Sequence, residues 1–128
     1  MSYRVTVSAR FEAAHNLIDY EGGAEPLHGH SYLVEAVLEA DKLQRYDLAV
    51  DFVPARNALE AIAKEFDYGY VNDHRDFRGR NTSAENLARY FAERLESSGS
   101  LGWARVAEIV VWEGPQNRAA YRPGDRKS

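Results

Sequence analysis

The chain is 128 residues long and 45% apolar, with 16 lysines and arginines against 20 aspartates and glutamates, a formal charge of −4. That is one domain of ordinary size with enough apolar material for a core, and residues 1–128 are read as that single domain. An acidic chain with interspersed charge argues against a nucleic-acid partner, and the lack of any cysteine excludes disulfides, thiolate metal sites and a thiol nucleophile.

Met1 to Thr6 has no apolar signal core, and no apolar run approaches the ~18 residues that span a bilayer, so a soluble cytoplasmic protein without a membrane partner is expected. Tyr3, Val5, Val7, Ala9, Phe11, Ala13 and His15 share one parity, and Arg4, Thr6, Ser8, Arg10 and Glu12 the other. That period of two predicts a half-buried strand. Asn16 to Leu27 reads as a loop with Gly22-Gly23 and Pro26 as breakers. A second strand begins near His28 or His30, with His30, Tyr32, Val34, Ala36 and Leu38 on the apolar parity.

Asp51 has the position of a helix N-cap, and Phe52, Ala55, Leu59, Ile62, Ala63 and Phe66 then fall on one helical face. Pro54 is tolerated in the first turn. A second helix starts at Thr82 or Ser83, where Thr82 and Glu85 have the spacing of a capping box. Leu87, Ala88, Phe91, Ala92 and Leu95 form its apolar stripe, and Ser97 to Gly102 is a loop. Val106 to Glu113 reads as a strand and Gln116 to Tyr121 as its short partner, with a polar tail frayed from Pro123. The order predicts an α+β fold: a four-stranded antiparallel sheet with two helices on one face. Leu33, Val37, Val110 and Trp112 fall on the other face, and two sheet edges stay open. Closure into a larger barrel would cover both, so a homo-oligomer is expected.

The chemistry concentrates in three of the four histidines. His28 and His30 flank Gly29 in Leu27-His28-Gly29-His30-Ser31-Tyr32 and point to one face of an extended segment. His15 ends the apolar stripe of the neighbouring strand. Three imidazoles together hold zinc and leave its fourth tetrahedral position open, the arrangement of a catalytic site. Glu113 ends the third strand. A carboxylate there can accept two parallel N–H donors at once, as it does from a guanidinium.

Phe11-Glu12-Ala13-Ala14-His15, the His-Gly-His segment, Val50-Asp51-Phe52, Asn81-Thr82-Ser83-Ala84-Glu85-Asn86-Leu87-Ala88 and Val111-Trp112-Glu113, in that order, resemble the 6-pyruvoyl-tetrahydropterin synthase and 6-carboxytetrahydropterin synthase family. The likeness runs over about residues 3 to 121. It implies the tunnelling fold, whose subunits close as trimers into a barrel, usually paired as hexamers. It implies zinc on His15, His28 and His30, a pterin anchored by Glu113, and Thr82 and Ser83 near the substrate. The pathway left open is queuosine-type deazapurine, folate or biopterin synthesis.

The chain departs from the family at the proton-transfer groups. Ala24 stands where the family has a cysteine. Asp67 is kept, but Tyr68 replaces the histidine that follows it. Two substitutes offer themselves. Glu25 lies one residue from the vacant position, and some family members with glutamate there cleave the dihydroneopterin side chain as aldolases, giving 6-hydroxymethyl-dihydropterin. His74 is the one histidine outside the trio. The candidate catalytic residues are therefore Glu25, Asp67, Tyr68 and His74, with Arg75, Arg78 and Arg80 for a triphosphate. The expected activity is a zinc-dependent lyase on the C6 side chain of 7,8-dihydroneopterin or its triphosphate. The alternatives are the aldolase-type variant and a zinc- and pterin-binding relative without turnover.

Overall fold

A computed structural model describes residues 1–124. The elements in chain order are β1 (Tyr3–His15), β2 (His28–Ala40), α1 (Phe52–Lys64), β3 (Gly69–Tyr70), α2 (Ala84–Ser97), β4 (Arg105–Glu113) and β5 (Asn117–Tyr121). They form one sheet in the order β3-β1-β2-β4-β5, with both helices packed on one face. The α+β reading holds, with one correction: the sheet has five strands. The added strand, β3, pairs parallel to β1 at Ala13 and Ala14. Two residues are too few to display a period of two, so the sequence carries no alternation to reveal it. The tail expected to fray from Pro123 lies, beyond Gly124, outside the described residues.

β1 and β2 pair antiparallel without a slip from Tyr3↔Ala40 to His15↔His28. Burial fixes this register, because a shift of one residue would turn Val7, Ala9, Phe11 and Ala13 out of the core. β4 runs antiparallel to β2, with Ala107 as the extra residue between the pairs Leu38↔Val106 and Val37↔Glu108. β5 returns along β4 through Gly114, whose φ of +70° glycine adopts without a Cβ clash.

Asp51 caps α1, its carboxylate accepting from Val53 N at 3.0 Å. Ala55, Leu59, Ile62 and Ala63 face the sheet, and Phe66 joins them just past the helix. Phe52, expected on that face, is half exposed. It is the first helical residue, and its side chain leans back over the N-terminal end, away from the core. In α2 the cap is Ser83, whose Oγ accepts from Asn86 N at 3.1 Å. The capping box from Thr82 does not form, because Thr82 is fully buried. Leu87, Ala88, Phe91, Ala92 and Leu95 are buried as the stripe predicts.

The layers meet at Phe11. Its ring stacks on Tyr32 at 4.6 Å and touches Phe66 and Phe91 from the helix side. On the outer face Leu33, Val37 and Trp112 are half-buried. Trp112 Nε1 donates to Glu35 at 2.7 Å, and the Arg118 guanidinium covers the indole. Among the described residues no helix is long and apolar enough to cross a membrane.

Candidate metal centre and active site

The core-facing stripe of β1 and β2 ends in imidazoles. His15 pairs directly with His28, and His30 sits opposite Ala13, so the three rings gather on one face at one end of the two strands. Their ligand nitrogens all lie within 4.8 Å of one another. His15 is buried, and His28 and His30 are partly exposed.

Hydrogen bonds fix which nitrogen His15 and His28 offer. His15 Nδ1 donates to the Thr82 carbonyl at 2.8 Å, and His28 Nδ1 donates to the Pro26 carbonyl at 2.9 Å. A carbonyl only accepts, so both neutral rings carry their proton on Nδ1. Their Nε2 atoms then face each other at 3.0 Å with lone pairs on both. Two lone pairs at that distance repel unless a cation or proton lies between them. His30 Nε2 is buried and has no hydrogen-bond partner among the described residues. Burial holds His30 below the ordinary histidine pKa against the pull of Glu113, with His15 and His28 adding to the lowering, which favours the neutral ring with one bare nitrogen. The trio therefore fits a metal ion on chemical grounds. Three imidazoles, two of them held by backbone carbonyls behind them, are a donor set suited to zinc.

Two carboxylates border the trio. Glu113 Oε2 is 3.5 Å from His15 Nε2. Glu25 Oε1 is 3.8 Å from His28 Nδ1 and accepts from Leu17 N at 3.0 Å. The Glu25 loop is tied down by Glu25 N donating to Leu17 O at 2.9 Å, and by a tight turn in which Tyr20 and Gly23 exchange backbone bonds of 2.8 and 3.1 Å. Glu21 and Gly22, at φ +52° and +81°, form the centre of that turn.

The other sequence-selected residues scatter. Asp67 Oδ1 accepts from Glu12 N at 2.9 Å, and Tyr68 N donates to Glu12 O at 2.6 Å, so this turn is clamped to the edge of β1. Tyr68 itself is 87% exposed at φ +55°, and it lines an open surface cleft together with Glu12, Ser31 and His30. His74 lies in a separate cluster: Nε2 donates to Glu65 at 2.9 Å, and Nδ1 accepts from Asp76 N at 3.2 Å. Tyr90 and Arg94 also bind Glu65 there. Thr82 and Ser83 spend their polar atoms on His15 and on the cap of α2. Arg75, Arg78 and Arg80 make no ion pair among the described residues.

Sequence reasoning missed Tyr32, Asn16 and Asn72. Tyr32 is fully buried, its ring lies 5.4 Å from His30, and its hydroxyl has no hydrogen-bond partner among the described residues. Burial, then the charges of Glu113 and Glu25, push its phenol far above the ordinary value, so it remains an O–H group. Its parity with His30 was the available signal. The two asparagines gave none, since each acts through loop contacts across 56 residues of chain.

The family model described as 6-pyruvoyl tetrahydropterin synthase matches residues 4–124. Among curated relatives, the 6-carboxy-5,6,7,8-tetrahydropterin synthase of Aquifex aeolicus is 28% identical, over 95% of this chain and 99% of its own. The dihydroneopterin monophosphate aldolase of Pyrococcus furiosus is 30% identical, over 89% of this chain and 92% of its own. Among solved structures, Caenorhabditis elegans 6-pyruvoyl tetrahydropterin synthase superposes with a TM-score of 0.79 at 18% identity, over 97% of each chain. A Plasmodium vivax 6-pyruvoyltetrahydropterin synthase, in which a glutamate described as catalytic is changed to alanine, gives 0.75 at 18% identity, over 98% of this chain and 99% of its own.

Proposed function

The chain belongs to the 6-pyruvoyl tetrahydropterin synthase family, and from that premise we propose that it is a zinc-dependent lyase acting on the C6 side chain of 7,8-dihydroneopterin or its phosphates. The observation that carries this reading is the convergence of three imidazole lone pairs beside Glu113, whose Oε2 is 3.5 Å from His15 Nε2. His15, His28 and His30 would hold the metal. When bound, zinc supplies Lewis acidity toward the side-chain oxygens.

Glu113 receives the amino-pyrimidinone edge of the ring, two N–H donors against two carboxylate oxygens. Glu25 is the general base. Leu17 N–H occupies one carboxylate oxygen, which orients the group and leaves the other to take a proton. Asp67 and His74 are given no proton transfer: Asp67 clamps its turn to the edge of β1, and His74 sits in the separate cluster around Glu65. Ala24 has no group that can transfer a proton, and the Tyr68 side chain is mostly in solvent.

A carboxylate in place of the thiol favours the aldolase-type branch. Glu25 takes the proton of the hydroxyl one carbon beyond the ring-attached carbinol. The bond between those two carbons breaks, releasing an aldehyde. The electron pair passes into the ring imine, and a proton returned to the carbinol carbon gives 6-hydroxymethyl-dihydropterin. The Pyrococcus furiosus relative, with an aldolase name, supports this branch. The Aquifex aeolicus relative, with a 6-carboxytetrahydropterin synthase name, supports the synthase branch. A homo-oligomer, trimer or hexamer, belongs to the same proposal. The β1 edge pairs with β3 only at Ala13 and Ala14, and the outer sheet face carries Leu33, Val37 and Trp112.

The test is product identity. Zinc-loaded protein is incubated with 7,8-dihydroneopterin, its monophosphate and its triphosphate, and products are identified by mass. A hydroxymethyl-pterin that vanishes with chelator supports the aldolase branch, and a carboxy- or pyruvoyl-pterin the synthase branch. Bound zinc and bound pterin with no product overturn the enzyme assignment in favour of a binding protein.

A further inference from the structure

Two buried polar side-chain atoms have no hydrogen-bond partner among the described residues: His30 Nε2 and the Tyr32 hydroxyl. A cation held by the three imidazoles satisfies the first, because it takes a lone pair. It does not satisfy the second. A phenol at neutral pH carries its proton and needs an acceptor. The hydroxyls of Tyr70 and Tyr90, by contrast, donate to Asn16 and Glu65. A buried donor without an acceptor is costly to the fold, so its partner is to be sought in what the site takes in.

The position of Tyr32 narrows the choice. It is the core-facing residue after His30 on β2 and the direct cross-strand partner of Glu113 on β4. Its ring lies 5.4 Å from the His30 ring and 5.9 Å from the His15 ring, edge-on to both. One face stacks on Phe11 at 4.6 Å, which fixes where the hydroxyl lies. Tyr32 therefore borders both the imidazole trio and Glu113, neighbours across the sheet being within side-chain reach. A heterocycle that docks its N–H edge on Glu113 and turns its side chain to the trio brings past Tyr32 the part of the ring joining the two. In a dihydropterin that part carries the imine nitrogen, an acceptor.

We propose that Tyr32 is a catalytic residue, whose hydroxyl donates a hydrogen bond to the ring imine nitrogen of the bound dihydropterin and stabilises the charge that collects there. This rests on the lyase reading above. Glu25 takes the side-chain hydroxyl proton, the carbon–carbon bond breaks, and its electron pair moves onto that nitrogen. When the carbinol carbon takes the proton back from Glu25, the imine re-forms. Tyr32 keeps its own proton throughout, so the sequence balances with no further reactant.

Tyr32→Phe removes the oxygen and keeps the ring on Phe11. The ligand-free variant should melt at or above the wild-type temperature, since it deletes an unmet donor. At equal zinc content its kcat on 7,8-dihydroneopterin should fall by about tenfold to a thousandfold. KM should change far less, because the charge develops only during reaction. Tyrosine labelled with ¹³C at Cζ supplies a readout without turnover, the Tyr32 signal being the one that Tyr32→Phe lacks. That signal should shift when 7,8-dihydroneopterin is added to the zinc-loaded protein. Wild-type kcat in Tyr32→Phe overturns the proposal. So does a ligand-free variant that is less stable than wild type or does not fold, because the hydroxyl then already has a partner within the fold. If wild type binds the pterin without converting it, the lyase reading fails and the Cζ signal decides alone: a shift on binding sustains the donor, and an unmoved signal overturns it.

Discussion

His15 Nε2 and His28 Nε2 stand 3.0 Å apart with both Nδ1 atoms turned to backbone carbonyls. That arrangement stores repulsion in the metal-free protein and releases it when a cation enters. Metal binding should therefore stabilise the fold as well as equip it.

The first prediction follows from that pair. His28→Ala should lose bound zinc, and chelator should lower the melting temperature of wild type but not of the variant. Zinc content by elemental analysis and thermal melts measure this. Stoichiometric zinc in His28→Ala would contradict the ligand assignment.

Glu25→Gln should keep zinc and fold normally, since its side-chain oxygen can still accept from Leu17 N. Turnover should fall by roughly a hundredfold or more, read as kcat with the metal content held equal. Unchanged kcat would remove Glu25 as the base.

Glu113→Gln should act on ring binding. One acceptor oxygen becomes a donor and the charge disappears, so pterin affinity should fall by about tenfold or more, measured by calorimetry on zinc-loaded protein. Equal affinity in the variant would refute the anchor role.

Glu65 sets a pH dependence of stability. Burial alone would raise its carboxyl, but hydrogen bonds from Tyr90, His74 and Arg94, with the Arg94 charge, outweigh this and hold it below the ordinary value. A depressed carboxyl stabilises the fold above its unfolded pKa of ~4.3 and loses that contribution as pH falls through the folded value. Urea denaturation should show wild type more stable than Glu65→Gln near neutrality, with the gap closing toward about pH 3. A gap that widens on acidification would reverse the assignment.

Tyr68 holds φ +55° with its ring in solvent. Tyr68→Gly should remove most of the left-handed backbone cost of about 1–2 kcal/mol, less the entropy that glycine adds to the unfolded chain. A small net gain in stability is expected on chemical denaturation. A loss of 1 kcal/mol or more would show that the phenol packs against something essential to the fold.

Much of this molecule is legible in its residues because long strands write their burial into alternation. β1 begins and ends at Tyr3 and His15, as the parity pattern requires, and the same pattern places His15 and His30 on the core face. Ser83 could not be told from Thr82 as the cap, because both carry a hydroxyl and the choice depends on which one the core needs. β3 is too short to have a period. Asn72 and Asn16 are separated along the chain by β2, α1 and β3, and no local pattern encodes such a contact. Glu25 and Glu113 were visible as acids; that they flank the same three rings comes from the sheet register for Glu113 and from the fold of the loop before β2 for Glu25.

The lack of a thiol at Ala24, beside Glu25, has a consequence beyond catalysis. A cysteine thiol climbs an oxidation ladder that carboxylates and imidazoles do not share. This chain has no cysteine at all. Proton transfer by the groups proposed above, built from oxygen and nitrogen alone, would need no reductant and should withstand peroxide exposure.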